Sequence, residues 1–300
     1  MNSTVAQSAQ GPKNEYHHIL AAINAVVLVS GTVSLSLMMH ILKSSSTSIT
    51  SIAVLNLIFT HFIFLITVPF RIYYYATSTW DLGVGWCRMI SSMIHVHMYM
   101  SFLFYVIILI TRLRAFYRKA EQLASFRSIH ALLVSAAVWL VLLIVVPLTI
   151  CLTYGQNVNV ATNVTTNVMT DVTTNVTECF NFGKHIHNKA GVREINYIVS
   201  MLIIVVAAVL TALQANILRV LYGKHRRRCT SQQDFGAQLK SLCFALIMVV
   251  CFIPYHMFRL YYLEHIGWQN VNEVFLSLTT FNCLDMLTFL GKRPCYRCAS

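Results

Sequence analysis

"INYIVSMLIIVVAAVLTALQANIL", residues 195–218, runs for 24 residues without one charged side chain. A helix needs about 20 residues to cross the apolar layer of a bilayer, so this run is long enough to span it. Runs of the same kind recur on both sides of it. Seven are legible: 17–42, 49–75, 89–113, 129–153, 193–222, 237–264 and 271–291. Amides inside lipid must bond within their own segment, so each run is predicted as a helix. None shows a clean apolar stripe; they are apolar on most faces, as membrane spans are. Length alone would suggest two soluble domains. Composition overrules that, because 11% of residues are charged and 57% are hydrophobic. The expected fold is an all-α membrane protein, a seven-transmembrane helix bundle.

Charge sets the orientation. The net charge is +12. With the N-terminus outside, the inner segments collect fifteen of the 22 Lys and Arg, including Lys43, Arg112, Arg114, Arg118, Lys119 and the "KHRRRC" cluster at 224–229. That is the positive-inside pattern, and it places the C-terminus in the cytoplasm. The basic cluster then lies beside anionic lipid, which accounts for it without any nucleic-acid polymer. The glycosylation acceptors Asn2, Asn163 and Asn175 all fall outside in this threading. The first 18 residues are polar and carry no signal-peptide core. The expected organisation is an extracellular tail at 1–16, the bundle at 17–291 and a very short cytoplasmic tail at 292–300. A multi-pass plasma-membrane location follows.

The second outer loop, 154–192, holds a stutter of four tetrapeptides over Thr162–Thr177. Its Thr, Asn and Val cannot bury a core, so it reads as a polar, glycosylated strap. Of the nine cysteines, Cys87 and Cys179 lie clearly in outer, oxidising segments. A disulfide between them would pin the strap across the bundle, with Cys151 as the competitor inside the fourth span. Cys295 and Cys298 are palmitoylation candidates. Their spacing is half a zinc site with no second half, so no metal and no cofactor are expected.

Local motifs narrow the field. "CFIPYHMFR", 251–259, resembles the kinked sixth helix of rhodopsin-like (class A) G-protein-coupled receptors. "WDLGVGWC", 80–87, resembles their first outer loop, with the disulfide cysteine at Cys87. Trp139 sits midway along the fourth span, and Arg112 follows Cys87 by 25 residues, where the family keeps a cytoplasmic arginine. "VPFRIYYY", 68–75, is similar to the purinergic-like branch. The resemblance covers essentially the whole chain. It implies a receptor passing an extracellular signal to heterotrimeric G proteins.

The departures carry their own expectations. Thr111 precedes Arg112 where the family has an acid, which would leave the resting state less locked and raise basal signalling. Phe252 replaces a Trp ahead of Pro254. "DMLTF", 285–289, keeps Asp285 but lacks the Pro and ends in Phe289 instead of Tyr. His61 stands eight residues before Pro69, where the resemblance implies a sodium-binding carboxylate. His61 is expected to face Asp285 and to clamp the second helix to the seventh; a neutral histidine that never titrates is the competing reading. With Ser101, these residues form the expected activation switch.

For the ligand, His256 and Arg259 are three apart and share one helix face. Guanidinium suits phosphate and carboxylate through paired hydrogen bonds. A small anionic ligand, a nucleotide or acidic lipid, is expected at Arg71, Tyr75, His95, Tyr99, Tyr255, His256, Arg259 and Tyr262. The competing reading has the two arginines snorkelling to lipid headgroups. His95 and His97 point to different faces of one helix and make a poor chelate, so they read as core or pocket polarity. No lysine lies in the seventh span for a retinal Schiff base, and no constellation for an enzyme is present. A transporter or a non-signalling scaffold remains as the alternative.

Overall fold

A computed structural model describes residues 11–42, 49–117, 135–136, 139–140, 143–144, 179–180, 190–225 and 232–289. Five helices are long and apolar enough to cross a membrane. They are α1 (Gly11–Leu42), α2 (Ile49–Thr77), α3 (Gly83–Tyr117), α4 (Ala190–His225) and α5 (Gln232–Glu264). The last two correspond to the fifth and sixth predicted spans. The seventh is built differently. After a 3-10 turn at Ile266–Trp268, α6 (Gln269–Thr279) passes into a 3-10 helix, Thr280–Phe289. Only three helical fragments of the predicted fourth span are described.

α1 begins at Gly11, within the expected tail, and its apolar span starts at Glu15. The polar residues at 13–15 fall in its first turns, where helix is compatible with a position outside the apolar layer.

The helices close into a ring. α1 packs on α2, α2 on α3, α4 on α5, and α5 on α6 and its 3-10 extension, which returns to α1. α3 also reaches across to α4 and α5, and so occupies the middle. Its Ile94, Met98, Met100, Tyr105 and Leu109 are all buried. The exterior is apolar instead: Ile195, Ile198, Leu202, Val205 and Val209 of α4 are exposed, as a lipid-facing surface requires.

Local chemistry explains the irregular places. Pro69 has no N–H for the ladder of α2, and Thr67 Oγ1 turns inward to donate to the Phe64 carbonyl at 2.6 Å. Where α6 tightens, Thr279 and Thr280 donate to the Leu276 and Ser277 carbonyls, both at 2.6 Å. Such hydroxyl bonds to the preceding turn perturb the regular helix at that point. Gly31 permits the close approach of α1: a Cβ there would lie 2.9 Å from Leu65 Cδ2 and 3.5 Å from Cys283 Cβ. Trp139 donates its indole N–H to Asn56 Oδ1 at 2.9 Å and meets Phe59 edge-on, which holds that helical fragment against α2.

Candidate functional site

One end of the bundle is closed by a disulfide between Cys87, at the start of α3, and Cys179. Phe180, at φ 63°, turns its ring onto Tyr74, Tyr75 and Trp80. Trp80 is held by its indole N–H, which donates to the Gly83 carbonyl at 2.8 Å. Gln269 Nε2 donates to the Phe180 carbonyl at 3.3 Å. The disulfide thus holds an aromatic plug, and Arg71 lies under it.

Arg71 is 1% exposed, so it does not snorkel to a surface. Its guanidinium lies 4.6 Å from the Phe180 ring, a cation–π contact. Nη2 donates to Tyr75 Oη at 3.4 Å and stands 3.7 Å from Glu273 Oε2. Nε and Nη1 have no hydrogen-bond partner among the described residues. A buried guanidinium with two unused donors is costly unless something accepts from them.

Across the bundle, α5 supplies the second cation. Arg259 is also buried; Nη2 donates to Asn196 Oδ1 at 3.1 Å, and the guanidinium lies 5.4 Å from the Tyr262 ring. His256, one turn earlier, uses Nδ1 on Ser200 Oγ at 3.2 Å and leaves Nε2 without a partner among the described residues. His95 is within electrostatic reach of Arg71, Arg259 and His256. Tyr99 and Tyr255 are within reach of Arg259, and Tyr255 also of Glu273. All eight expected ligand residues therefore sit around one region. Glu273 is the residue that sequence reasoning missed. It is an acid inside a predicted span, a signal that was available, but its pairing with Arg71 depends on tertiary structure.

A second polar cluster occupies the centre. His61 Nε2 stands 3.3 and 3.4 Å from the two carboxylate oxygens of Asp285, so the expected pair does face one another. Tyr105 donates its hydroxyl to Asp285 Oδ2 at 2.5 Å. His61 Nδ1 meets His97 Nε2 at 2.9 Å, and Cys283 Sγ is close to both. His97 thus belongs to this cluster, whereas His95 belongs to the other region. Phe252 is fully buried, with its ring 5.8 Å from Phe102 and 6.1 Å from Tyr105. Ser101, one turn beyond His97, is buried with no partner for its hydroxyl among the described residues. Pro254 lies inside α5 and Phe289 ends the 3-10 helix.

At the opposite end of α3, Thr111 and Arg112 are half-buried. Arg112 has no acidic partner among the described residues. Asn2, Asn163, Asn175, Cys295, Cys298, the tetrapeptide repeat and the 226–229 part of the basic cluster lie outside the described residues.

Comparison with known proteins agrees with this architecture. The family described as 7 transmembrane receptor (rhodopsin family) matches residues 31–290. The human "Probable G-protein coupled receptor 141" is 37% identical over 281 residues, covering 90% of this chain and 87% of the relative. The mouse "Probable G-protein coupled receptor 34" is 23% identical, covering 90% and 72%. A purinoceptor of Xenopus laevis is 23% identical, covering 83% and 46%. A helical membrane bundle, a disulfide at Cys87 and a match over most of its length place this chain in the rhodopsin family of G-protein-coupled receptors.

Proposed function

We propose that this receptor detects a small anionic ligand at the disulfide-bearing, extracellular end of a seven-span bundle and activates heterotrimeric G proteins at the other. One observation carries the ligand class: Arg71 is buried with two guanidinium donors unused, and Arg259 and His256 face the same region. An anion's oxygens would accept charge-assisted hydrogen bonds from those donors. The relatives support the same chemistry. The Xenopus laevis purinoceptor is named for purines, and "Lysophosphatidic acid receptor 6" of Gallus gallus, 27% identical over 128 residues and 43% of this chain, is named for a phosphate-bearing lipid.

Glu273 limits the site's net positive charge, so a ligand with one or two negative charges suits it better than a polyanion. The N-terminus lies outside and the C-terminus in the cytoplasm, as the charge asymmetry requires, and the receptor resides in the plasma membrane. His61 stands where a cation would otherwise balance Asp285, and Arg112 meets the transducer with Thr111 beside it in place of an acid. The test is a signalling screen with nucleotides and lysophospholipids across the G-protein classes. It is run on wild type and on Arg112→Ala, a variant that should express but not signal. Transport or conductance that survives Arg112→Ala, with no G-protein response in either form, would favour the transporter or scaffold alternative.

A further inference from the structure

Three side chains from three elements meet in the centre with their ligand atoms nearly equidistant. His61 Nδ1 of α2 and His97 Nε2 of α3 are 2.9 Å apart. Cys283 Sγ, from the 3-10 helix, is 3.5 Å from the first and 3.6 Å from the second. All three residues are at most 2% exposed. A tetrahedral zinc ion with ordinary bond lengths sets its N···N edge near ~3.3 Å and its N···S edges near ~3.6 Å. The triangle matches those edges to within about 0.5 Å before any ion draws the ligands in.

The groups behind the ligands are those that such a site needs. The other nitrogen of His61 is aimed at Asp285, and Tyr105 donates to the same carboxylate. A carboxylate that accepts from one imidazole nitrogen keeps the lone pair on the other, orients the ring and raises its basicity. His97 is held by its stack on Phe64, with ring centroids 4.2 Å apart and 18° between planes. Charge also closes: a dication, the Cys283 thiolate and the Asp285 carboxylate sum to zero, so no net charge is buried. Binding releases the thiol proton of Cys283 to solvent. Two imidazoles and a thiolate suit a borderline-soft ion rather than sodium, magnesium or calcium.

We infer that His61, His97 and Cys283 form a binding site for one transition-metal ion of the zinc class. The site joins α2, α3 and the seventh-span helix. An ion held there favours the arrangement in which the three elements touch, and any conformation that separates them must break a metal–ligand bond. It is therefore a second, intramembrane input to the receptor, independent of the ligand reading above.

The experiment uses the full-length receptor in detergent micelles, stripped with chelator and titrated with Co2+ and then Zn2+. Wild type develops cobalt–thiolate charge-transfer absorption that saturates at one ion per receptor, is displaced by Zn2+ and is insensitive to Mg2+. Cys283→Ser abolishes the band, His97→Gln weakens binding, and Asp285→Asn lowers affinity by about 10- to 100-fold. Cys243→Ser, on α5, leaves the band intact. A folded wild type without the band, or a band that survives Cys283→Ser, overturns the assignment and leaves a plain hydrogen-bonded cluster. Should the variants fail to accumulate, wild type decides alone: the cobalt band must saturate at one ion per receptor and be displaced by Zn2+, and a folded wild type without it refutes the site. The readout involves neither the ligand nor a G protein, so either reading can fail without the other.

Discussion

Glu273→Gln removes the acid nearest to Arg71 and leaves the shape of the side chain intact. The two charged groups stand 3.7 Å apart, with Arg71 at 1% exposure. At an effective dielectric constant of about 20, that separation corresponds to a gross attraction of about 4.5 kcal/mol. Breaking one half of a buried pair typically costs about 3–5 kcal/mol, since the survivor stays desolvated. Arg71 keeps its contacts with Phe180 and Tyr75, so the lower end of that range applies. At about 2–4 °C for each kcal/mol in a large domain, the ligand-free receptor should melt about 6 °C or more below wild type. The sign reverses for ligand. Glu273 repels the anion that Arg71 attracts, so the variant should bind the anion more tightly and recover stability in its presence. The assay is thermal melting of detergent-purified protein, with and without the best anion from the nucleotide and lysophospholipid panel. A variant that melts with wild type and binds the anion no better would refute the competition between Glu273 and ligand for Arg71.

Further outcomes follow from other parts of the bundle. Because imidazole already faces Asp285, the melting temperature should be the same in sodium, potassium and choline salts, and His61→Asp should introduce a sodium-dependent rise; sodium stabilisation of wild type that is lost in His61→Asp would contradict the pairing. Thr111→Asp gives Arg112 an adjacent acid and should lower ligand-independent signalling in cells at matched surface expression; unchanged basal signalling would remove Thr111 from the switch. Cys179→Ser opens the disulfide that holds Phe180 over Arg71, and loss of a native bridge costs about 2–5 kcal/mol. Surface expression should fall, and the surviving protein should lose its anion response; a full response would separate the plug from the site.

The sequence carried the parts that depend on local pattern. The apolar runs of α1 to α5 were legible because a lipid-facing helix shows its character in every turn. The pairing of Cys87 with Cys179 followed from the compartment in which each lies. His61 and Asp285 were legible as partners only through resemblance to a family whose second and seventh helices face one another. What was hidden depends on side chains from different helices. His97 was set aside because its spacing from His95 argues against a chelate on one helix, yet its neighbours are His61 and Cys283 from two other elements. Glu273 lay in plain view within a predicted span, but nothing local assigns it to Arg71. The change from α to 3-10 at Thr280 was likewise missed, because Thr–Thr hydroxyls that bond back to Leu276 and Ser277 leave no periodic signature.

The central claim, that buried arginines at the disulfide end recognise an anion and drive G-protein signalling, is tested most directly at Arg259, whose removal leaves the Arg71–Glu273 pair in place. The measurement is the concentration response of G-protein activation to the most potent nucleotide or lysophospholipid, in wild type and Arg259→Ala at equal surface expression. The account predicts a rightward shift of at least about tenfold, the loss expected for a charge-assisted hydrogen bond of about 1.5–3 kcal/mol. An unchanged potency in Arg259→Ala would contradict it.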